Sequence, residues 1–309
     1  MVNIRNLIDD VKCFQTVRDL RWPQEVTCPH CTSGRITKQG HDTTQPARQR
    51  YRCQACQKLF DDLTGTIFAG HHQPLRVWIL CLYFMGLNLS NEQIGQELDL
   101  DPDEAQAMTT KLREGIVERK PVEVLSGEVE CDEVYVVAGH KGHPEAVKKK
   151  GRLPRRRRLK GERGRGTLAK EKPPILGMIQ RAGTVVIGML ENVQQVTIAP
   201  LIRATIAPGT VVYTDEYDIY ARLPQWGYAH RTVCHAAGEF ARDEDGDGFC
   251  EVHVNTIEGF WSLLRSWLRP HRGVSQEKLP LYLGFFEFVH NVRKRGKALL
   301  GALIGLLVG

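Results

Sequence analysis

The sequence of 309 residues predicts an α/β domain that is preceded by a small cysteine-rich unit and by a helical segment. Three observations carry this prediction. Two Cys-x-x-Cys pairs stand near the N-terminus, capped helical patterns run from Pro74 to Lys120, and strand-like and helix-like patterns alternate after Pro121. The expected boundaries are 1–72 for the cysteine-rich unit, 73–121 for the helical domain, 122–295 for the α/β domain and 296–309 for an apolar tail.

The two cysteine pairs, CPHC and CQAC, are separated by 21 residues. Each pair can give two thiolates to one tetrahedral ion, so the spacing predicts a zinc ribbon with Cys28, Cys31, Cys53 and Cys56 as the Zn²⁺ ligands. A reduced loop without metal is the alternative. Four cysteines complete the shell, and the nearby histidines are therefore not expected to be ligands: His30, His41, His71 and His72.

The helical segment begins with LRVWILCLYFMGL, which is apolar almost all round and predicts a buried helix. Ser90 with Gln93 predicts a capping box, and Asp101-Pro102 predicts a second helix start. Two helices joined by a short turn after a supporting helix are typical of a helix-turn-helix, although an ordinary helical bundle fits the pattern nearly as well. The second helix offers Lys111 and Arg113 for contacts with DNA.

In the α/β domain, three acidic residues stand where they could meet. Asp132 lies within the predicted strand GEVECDEVYVV, and Asp215 follows the buried strand TVVYT. Glu258 lies in the first turn of NTIEGFWSLLR, whose apolar residues are spaced as one buried helical face. Converging carboxylates repel one another unless a cation joins them, and Mg²⁺ or Mn²⁺ prefer such oxygen ligands. Two ions about 4 Å apart would suit phosphodiester chemistry.

Each acid also has a structural interpretation, which would be the better one if the acid stood alone. Asp132 could be an exposed residue of an edge strand, and Asp215 could cap a helix beginning EYDIYARL. Glu258 could complete a capping box with Asn255 as the N-cap. Only the whole arrangement favours a metal site.

The loop ARDEDGDGFCEVH raises a separate possibility, since Asp243, Asp245, Asp247 and Gly248 match the opening of an EF-hand calcium loop. The twelfth position should then be Glu, but Val254 stands there, and the pattern of an entering helix is absent. A solvated turn is therefore the preferred interpretation.

The charge is concentrated in one segment. The formal net charge is +6, but the basic loop 141–172 has seven lysines and seven arginines against three glutamates, a local charge of +11. Few apolar residues accompany these charges, which predicts an extended arm that binds a polyanion. No amphipathic helix accompanies them either, so nucleic acid is favoured over a membrane surface. The candidate phosphate contacts in the arm are Arg155, Arg156, Arg157, Arg158 and Lys160.

The compartment can be predicted from the same sequence. The N-terminal stretch MVNIRNLIDDVKCF has no apolar core of signal-peptide length, and the apolar tail ALLGALIGLLVG is too short to span a bilayer as a helix. Nine cysteines without an export signal argue against a disulfide framework. We expect a cytoplasmic protein without a membrane partner.

Five stretches of the sequence resemble the ISXO2-like transposases, which belong to the IS1595 group of bacterial insertion sequences and are related to Merlin transposases. The similarity runs from about residue 122 to about residue 295, and the zinc ribbon ahead of it also fits the family. The stretches are ECDEVYVVAGHKG, RGRGTLAKEKPPILGMIQRAG, VVYTDEYDIY, VCHAAGEF and VHVNTIEGFWSLLR.

This resemblance implies a ribonuclease H-like catalytic domain with a D-D-E site for Mg²⁺ or Mn²⁺, which cleaves and rejoins DNA at insertion-sequence ends. The matching positions make Asp132, Asp215 and Glu258 the metal ligands and Arg265 a DNA contact near the cut. Asn255 is an alternative third ligand, and His253 is a weaker one.

The resemblance also implies the partners: double-stranded DNA, as transposon ends and target, and further copies of the chain in a dimer or higher oligomer. It places the protein at the bacterial nucleoid. The alternative function is a catalytically inactive DNA-binding protein, in which the ribbon and the helix-turn-helix bind a site while the acids are structural.

Overall fold

The computed structural model describes residues 8–141, 143–149, 166–181, 183–293 and 296–309. The chain divides into two compact units, the first formed by Met1–Lys120 with Val292–Gly309 and the second by Pro121–Asn291. The predicted phosphate contacts of the basic arm, Arg155, Arg156, Arg157, Arg158 and Lys160, lie outside the described residues.

The secondary structure up to residue 120 is α1 (Asp10–Arg21), β1 (Ile36–His41), β2 (Gln49–Cys53), β3 (Leu59–Asp61), α2 (Leu75–Gly86), α3 (Asn91–Glu97) and α4 (Pro102–Arg119). It continues with β4 (Glu128–Tyr135), α5 (Pro144–Lys149), β5 (Pro174–Gln180), β6 (Val185–Met189), α6 (Gln195–Thr205), β7 (Val211–Thr214), β8 (Ala229–Thr232), β9 (Ala241–Arg242) and β10 (Val252–His253). The last helices are α7 (Asn255–Leu268), α8 (Leu279–Val292) and α9 (Gly296–Val308).

The first unit contains a small antiparallel sheet in the order β1-β2-β3. Its core is aromatic: the rings of Tyr51 and Phe60 stack with centroids 5.1 Å apart, and Trp22 meets both edge-on. The buried carboxylate of Asp62 accepts hydrogen bonds from Arg18 of α1 and from the backbone N–H of Gln49. Helix α1 is thereby attached to the ribbon by a paired charge.

The helical part of the first unit has the predicted helix starts. Ser90 and Gln93 form the capping box, and the side chain of Asp101 caps α4, which begins at Pro102. Helices α1, α2 and α4 all pack against α9, so the apolar tail is a helix of this unit. A Cβ atom at Gly115 of α4 would lie 2.9 Å from a methyl group of Leu307, which is why glycine is needed at this crossing. None of the described helices is both long and apolar enough to cross a membrane.

Within its described residues, the second unit has a five-stranded sheet in the order β6-β5-β4-β7-β8. Strand β5 is antiparallel to both β6 and β4, whereas β7 and β8 run parallel to β4. The β5–β6 hairpin is the one that the sequence predicts. Helices α7 and α8 cover one face of the sheet, and α6 with residues 217–228 covers the other. Both faces are thus buried, and β4 lies at the centre.

Candidate metal centres and active site

The four cysteines of the ribbon lie close together. Their sulfur atoms are all within 4.8 Å of one another, with 3.7 Å between the Sγ atoms of Cys28 and Cys56 and 3.6 Å between those of Cys31 and Cys53. A tetrahedral Zn²⁺ with bonds of about 2.3 Å would set sulfur atoms about 3.8 Å apart. The cluster therefore fits Zn²⁺, as the spacing of the two pairs predicts.

The two knuckles have the same backbone geometry. Thr32 donates its N–H to the carbonyl of Cys28, and Gln57 donates its N–H to the carbonyl of Cys53. Both donors have a positive φ, 59° and 63°. The N–H of Cys56 also points at the sulfur of Cys53, and this hydrogen bond is the largest of several contacts that lower the pKa of that thiol. Backbone N–H groups thus favour the thiolate, which is the form that binds a metal.

The first predicted acid, Asp132, lies on the central strand β4 under helix α7. Its Oδ2 atom accepts a hydrogen bond of 2.8 Å from the indole Nε1 of Trp261. Its neighbour on β5 is Gly177, where a Cβ atom would overlap the Trp261 ring. The glycine therefore makes the space in which Trp261 reaches Asp132.

The second acid, Asp215, follows strand β7 directly. The register of the parallel pair β4–β7 ends with Glu130 beside Tyr213. Asp132 and Asp215 each stand two residues beyond this last pair, and paired strands are about 4.8 Å apart. The Oδ1 atom of Asp215 accepts the N–H of Tyr217, 3.0 Å away. This bond closes a turn before a short 3₁₀ helix at 218–220, and the α-helix considered over EYDIYARL is not formed.

The third acid, Glu258, lies in the first turn of α7 and is exposed. The helix starts one residue earlier than a capping box would require: Val254 is the N-cap, and Asn255 is already helical. The capping interpretation of Asn255 with Glu258 is therefore wrong. Asn255 is also exposed, and it lies one turn before Glu258 on the same helix.

The carboxylates of Asp215 and Glu258 act on that of Asp132. The pKa of Asp132 is raised to about 6, first by burial and also by the carboxylates of Asp215 and Glu258, against opposing hydrogen bonds from Trp261 and the backbone. The described residues do not bring all three carboxylates within 4.8 Å of one another, unlike the cysteines. Ions about 4 Å apart with oxygen ligands at about 2.1 Å can join oxygens up to about 8 Å apart.

The candidate DNA contacts differ in exposure. Arg265 is exposed on α7, two turns beyond Glu258, and Lys111 is exposed on α4. Arg113 is only 2% exposed, and its guanidinium lies 3.4 Å from the side-chain oxygen of Asn91. The apolar residues of α4 share its face, so Arg113 points into the unit and we withdraw it as a DNA contact.

The acidic loop does not have the surroundings of an EF-hand. It connects the short strands β9 and β10 instead of two helices. The carboxylates of Asp243, Asp245 and Asp247 lie within 4.8 Å of one another, but those of Asp243 already accept the N–H groups of Gly246 and Gly248. These bonds are typical of a self-closed turn, which agrees with the preferred interpretation.

Several residues around the acids were not predicted as parts of a site. Trp261 was assigned only to the core, and nothing marked Gly177 or Arg181. Glu130 stands two residues before Asp132, so the alternation of the strand already set both side chains on one face. This alternation is the feature of the sequence that could have indicated Glu130 as part of the site.

Comparison with known proteins identifies the family of both domains. Residues 124–291 match the ISXO2-like transposase domain, and residues 8–59 match a transposase zinc-ribbon domain. The first match covers more than half of the chain, and the chain belongs to the ISXO2-like transposase family.

Two relatives extend this comparison. The chain is 32% identical over 308 residues, 98% of its own length and 99% of the relative's, to an uncharacterized protein in transposable element ISH50 of Halobacterium salinarum. It is 31% identical over 103 residues, 33% of this chain and 77% of the relative, to an uncharacterized transposase-like protein of Haemophilus influenzae.

Proposed function

We propose that this transposase cleaves and rejoins DNA at insertion-sequence ends, with Asp132, Asp215 and Glu258 as ligands of two Mg²⁺ or Mn²⁺ ions. One observation supports the proposal: the β4–β7 register ends with Glu130 beside Tyr213, two residues before Asp132 and Asp215, while Trp261 attaches Asp132 to the helix that also bears Glu258. The order and directions of the five strands support a ribonuclease H-like fold for this unit.

The side chains of the site have separate tasks. Bound ions would activate a water or a 3′-hydroxyl and stabilise the leaving oxygen of a phosphodiester. Asp132, Asp215 and Glu258 hold them, and Asn255 is the alternative third ligand. The indole of Trp261 fixes the orientation of the Asp132 carboxylate, because it donates to one of the two carboxylate oxygens.

Helix α7 also provides cations for the DNA strand near the cut. Arg265 of α7 and Arg269, which directly follows the last residue of α7, are exposed and stand seven and eleven residues beyond Glu258. The backbone of Arg269 is still helical, so both lie on the same side. The rise of 1.5 Å per residue places their Cα atoms about 6 Å apart, so they can contact successive phosphates of one strand.

The remaining DNA contacts belong to other parts of the chain. We propose that the zinc ribbon and helices α3 and α4, with Lys111, recognise the end sequence, and that the basic arm with Arg155, Arg156, Arg157, Arg158 and Lys160 binds DNA without sequence preference. Joining two ends requires at least two active sites, which favours a dimer or a higher oligomer.

The test is cleavage of linear DNA that carries the element's terminal repeats. The protein should nick one strand at the repeat end in Mg²⁺ and not in Ca²⁺. Asp132→Asn should reduce the rate at least about 1,000-fold, the equivalent of about 4 kcal/mol of transition-state stabilisation, while DNA affinity stays within about twofold. Binding without nicks in any metal would favour the catalytically inactive DNA-binding protein instead.

A further inference from the structure

Glu130 is a buried acid of strand β4 that holds the start of helix α7. Its side chain is fully buried, 0% exposed. One carboxylate oxygen accepts the N–H of Ile257 at 2.9 Å, and the other accepts the hydroxyl of Thr256 at 2.8 Å and the Nε–H of Arg181 at 2.9 Å. The Nδ1 atom of His253 lies 3.3 Å from the second oxygen. Both oxygens are therefore occupied by donors of this chain.

Helix α7 depends on this contact because its local acceptor, Nδ1 of His253, meets only the N–H of Asn255, 3.3 Å away. The first N–H groups of a helix have no partner inside the helix, and the N-cap residue, Val254, has no side-chain acceptor. Glu130 supplies the missing acceptor from a different element. A carboxylate at this end of a helix is also favoured by the helix dipole.

The negative charge of Glu130 is balanced by Arg181. The guanidinium of Arg181 also donates to Glu128 and to the backbone carbonyls of Glu251 and His253, and it lies over the ring of Tyr213 at 3.9 Å. Arg181 thus connects β4 with the segment that leads into α7. A buried charge with several partners holds its neighbours in one arrangement, because removing a partner would leave the other charge unpaired.

The contacts at Glu130 and at Asp132 together set the register of α7 on β4. Two residues of a strand span about 6.7 Å, and four residues of a helix span about 6.0 Å. Glu130 and Asp132 on the strand accordingly meet Ile257 and Trp261 on the helix. Glu258 follows Ile257 directly, so the same attachment determines how far the third acid stands from the first.

We propose that Glu130 is a positioning residue, which sets the distance between Glu258 and Asp132 without binding an ion itself. This inference rests on the proposed function, since it concerns the geometry of the same acidic site. Ligand-orienting residues around metals commonly change metal affinity about 10- to 100-fold when they are removed.

A second buried glutamate provides a matched control. Glu287 of α8 is 2% exposed, and its carboxylate accepts the N–H of Ile187 on β6 at 3.1 Å. It too connects a helix to the sheet, on the same face as α7. A purely structural role for Glu130 therefore predicts the same consequences for Glu130→Gln and Glu287→Gln.

The experiment measures Mn²⁺ binding to the full chain without DNA, by electron paramagnetic resonance. The Mn²⁺ binding that is lost in Asp132→Asn is assigned to the acidic site. We expect Glu130→Gln to weaken this binding at least about 10-fold and to lower kcat by a similar factor, with KM for DNA within about twofold. Glu287→Gln should lower the melting temperature comparably and leave Mn²⁺ binding unchanged. Thr256→Val, which removes one donor to Glu130, should weaken Mn²⁺ binding by a smaller factor.

The outcomes separate the inference from the function on which it rests. If Glu130→Gln binds Mn²⁺ with wild-type affinity and only its melting temperature is lower, the role of Glu130 is structural. That result would overturn the inference and leave the proposed acidic site unaffected. If Glu130→Gln does not fold, the Mn²⁺ affinity of Thr256→Val is measured instead. Wild-type affinity in that variant would likewise overturn the inference. If Asp132→Asn binds Mn²⁺ like the wild type, the acids hold no ion and both proposals are overturned.

Discussion

The zinc ribbon and the acidic site are two candidate metal centres that are built in opposite ways. The ribbon takes its four sulfurs from two nearly identical turns, and each pair of ligands is three residues apart. The acidic site takes its carboxylates from a strand, a loop after a second strand and a helix, over 127 residues of sequence.

The difference in construction has a physical consequence. Local turns can fix the distances between thiolates, whereas the distances between the acids depend on how α7 packs on the sheet. The ribbon should therefore unfold when it loses its metal, whereas the acidic site should lose activity when α7 shifts slightly on the sheet. Four substitutions test this contrast, in descending order of expected effect.

Cys53→Ser should have the largest effect. Zinc binding contributes about 10–16 kcal/mol to the folding of small zinc domains, and one lost thiolate removes most of it. We expect the purified variant to lose its zinc in elemental analysis and residues 26–61 to lose protection from hydrogen exchange. Mn²⁺ binding at the acids should not change. Retention of one zinc per chain would contradict the four-cysteine site.

Gly177→Ala should be the next in size. The added methyl group would overlap the Trp261 ring, so α7 must shift on the sheet. Overpacking of this kind costs about 1–3 kcal/mol of stability, measurable by denaturant unfolding, and cleavage should fall with it. Gly188→Ala on β6 is the control, because the described residues leave the space around Gly188 open to 4 Å. Equal losses of stability and cleavage in both variants would show that the close approach of Trp261 to Gly177 is not important.

Trp261→Phe tests the orientation of Asp132. Phenylalanine keeps an aromatic ring in the core, but it removes the N–H that holds Asp132 together with part of the indole ring that packs beside Gly177. A lost hydrogen bond to a charged group is worth about 1.5–3 kcal/mol, so we expect lower stability and, because Asp132 loses its orientation, a fall in kcat of about 10- to 100-fold. Trp226→Phe, on the opposite face of the sheet, should leave kcat unchanged. An unaffected kcat in Trp261→Phe would show that Asp132 needs no orientation.

Arg265→Ala should have the smallest effect. It removes one proposed phosphate contact, so the slope of log K against log salt should become shallower by about 1. The expected loss of DNA affinity is a few-fold at moderate salt. Arg222→Ala changes an exposed arginine away from α7 and should keep the wild-type slope. An unchanged slope in Arg265→Ala would place the DNA strand elsewhere.

The same contrast explains what could be predicted from sequence. The ribbon ligands followed from spacing alone, and the buried face of α7 followed from its period, because Ile257, Phe260, Trp261 and Leu264 are all buried. The helix starts at Ser90 and Asp101 were also correct, since caps are local.

The errors concern residues whose role depends on distant elements. Arg113 looked exposed, because a helical pattern does not say which neighbours will cover it. Asn255 looked like an N-cap, but Glu130 on a strand 125 residues away supplies the acceptor for the start of α7. The predicted strands and helix suggested that Asp132, Asp215 and Glu258 could meet, and the resemblance to a family matched them to ligand positions. Their roles as ligands stay a proposal.

The position of α9 has a consequence for how the chain is made. This helix packs against α1, α2 and α4, yet the ribosome adds it after all of residues 121–291. The apolar surface of α2 therefore stays uncovered during the synthesis of the whole second unit, until its last neighbour emerges. The newly made N-terminal part is incomplete for that interval, and the first unit finishes folding last.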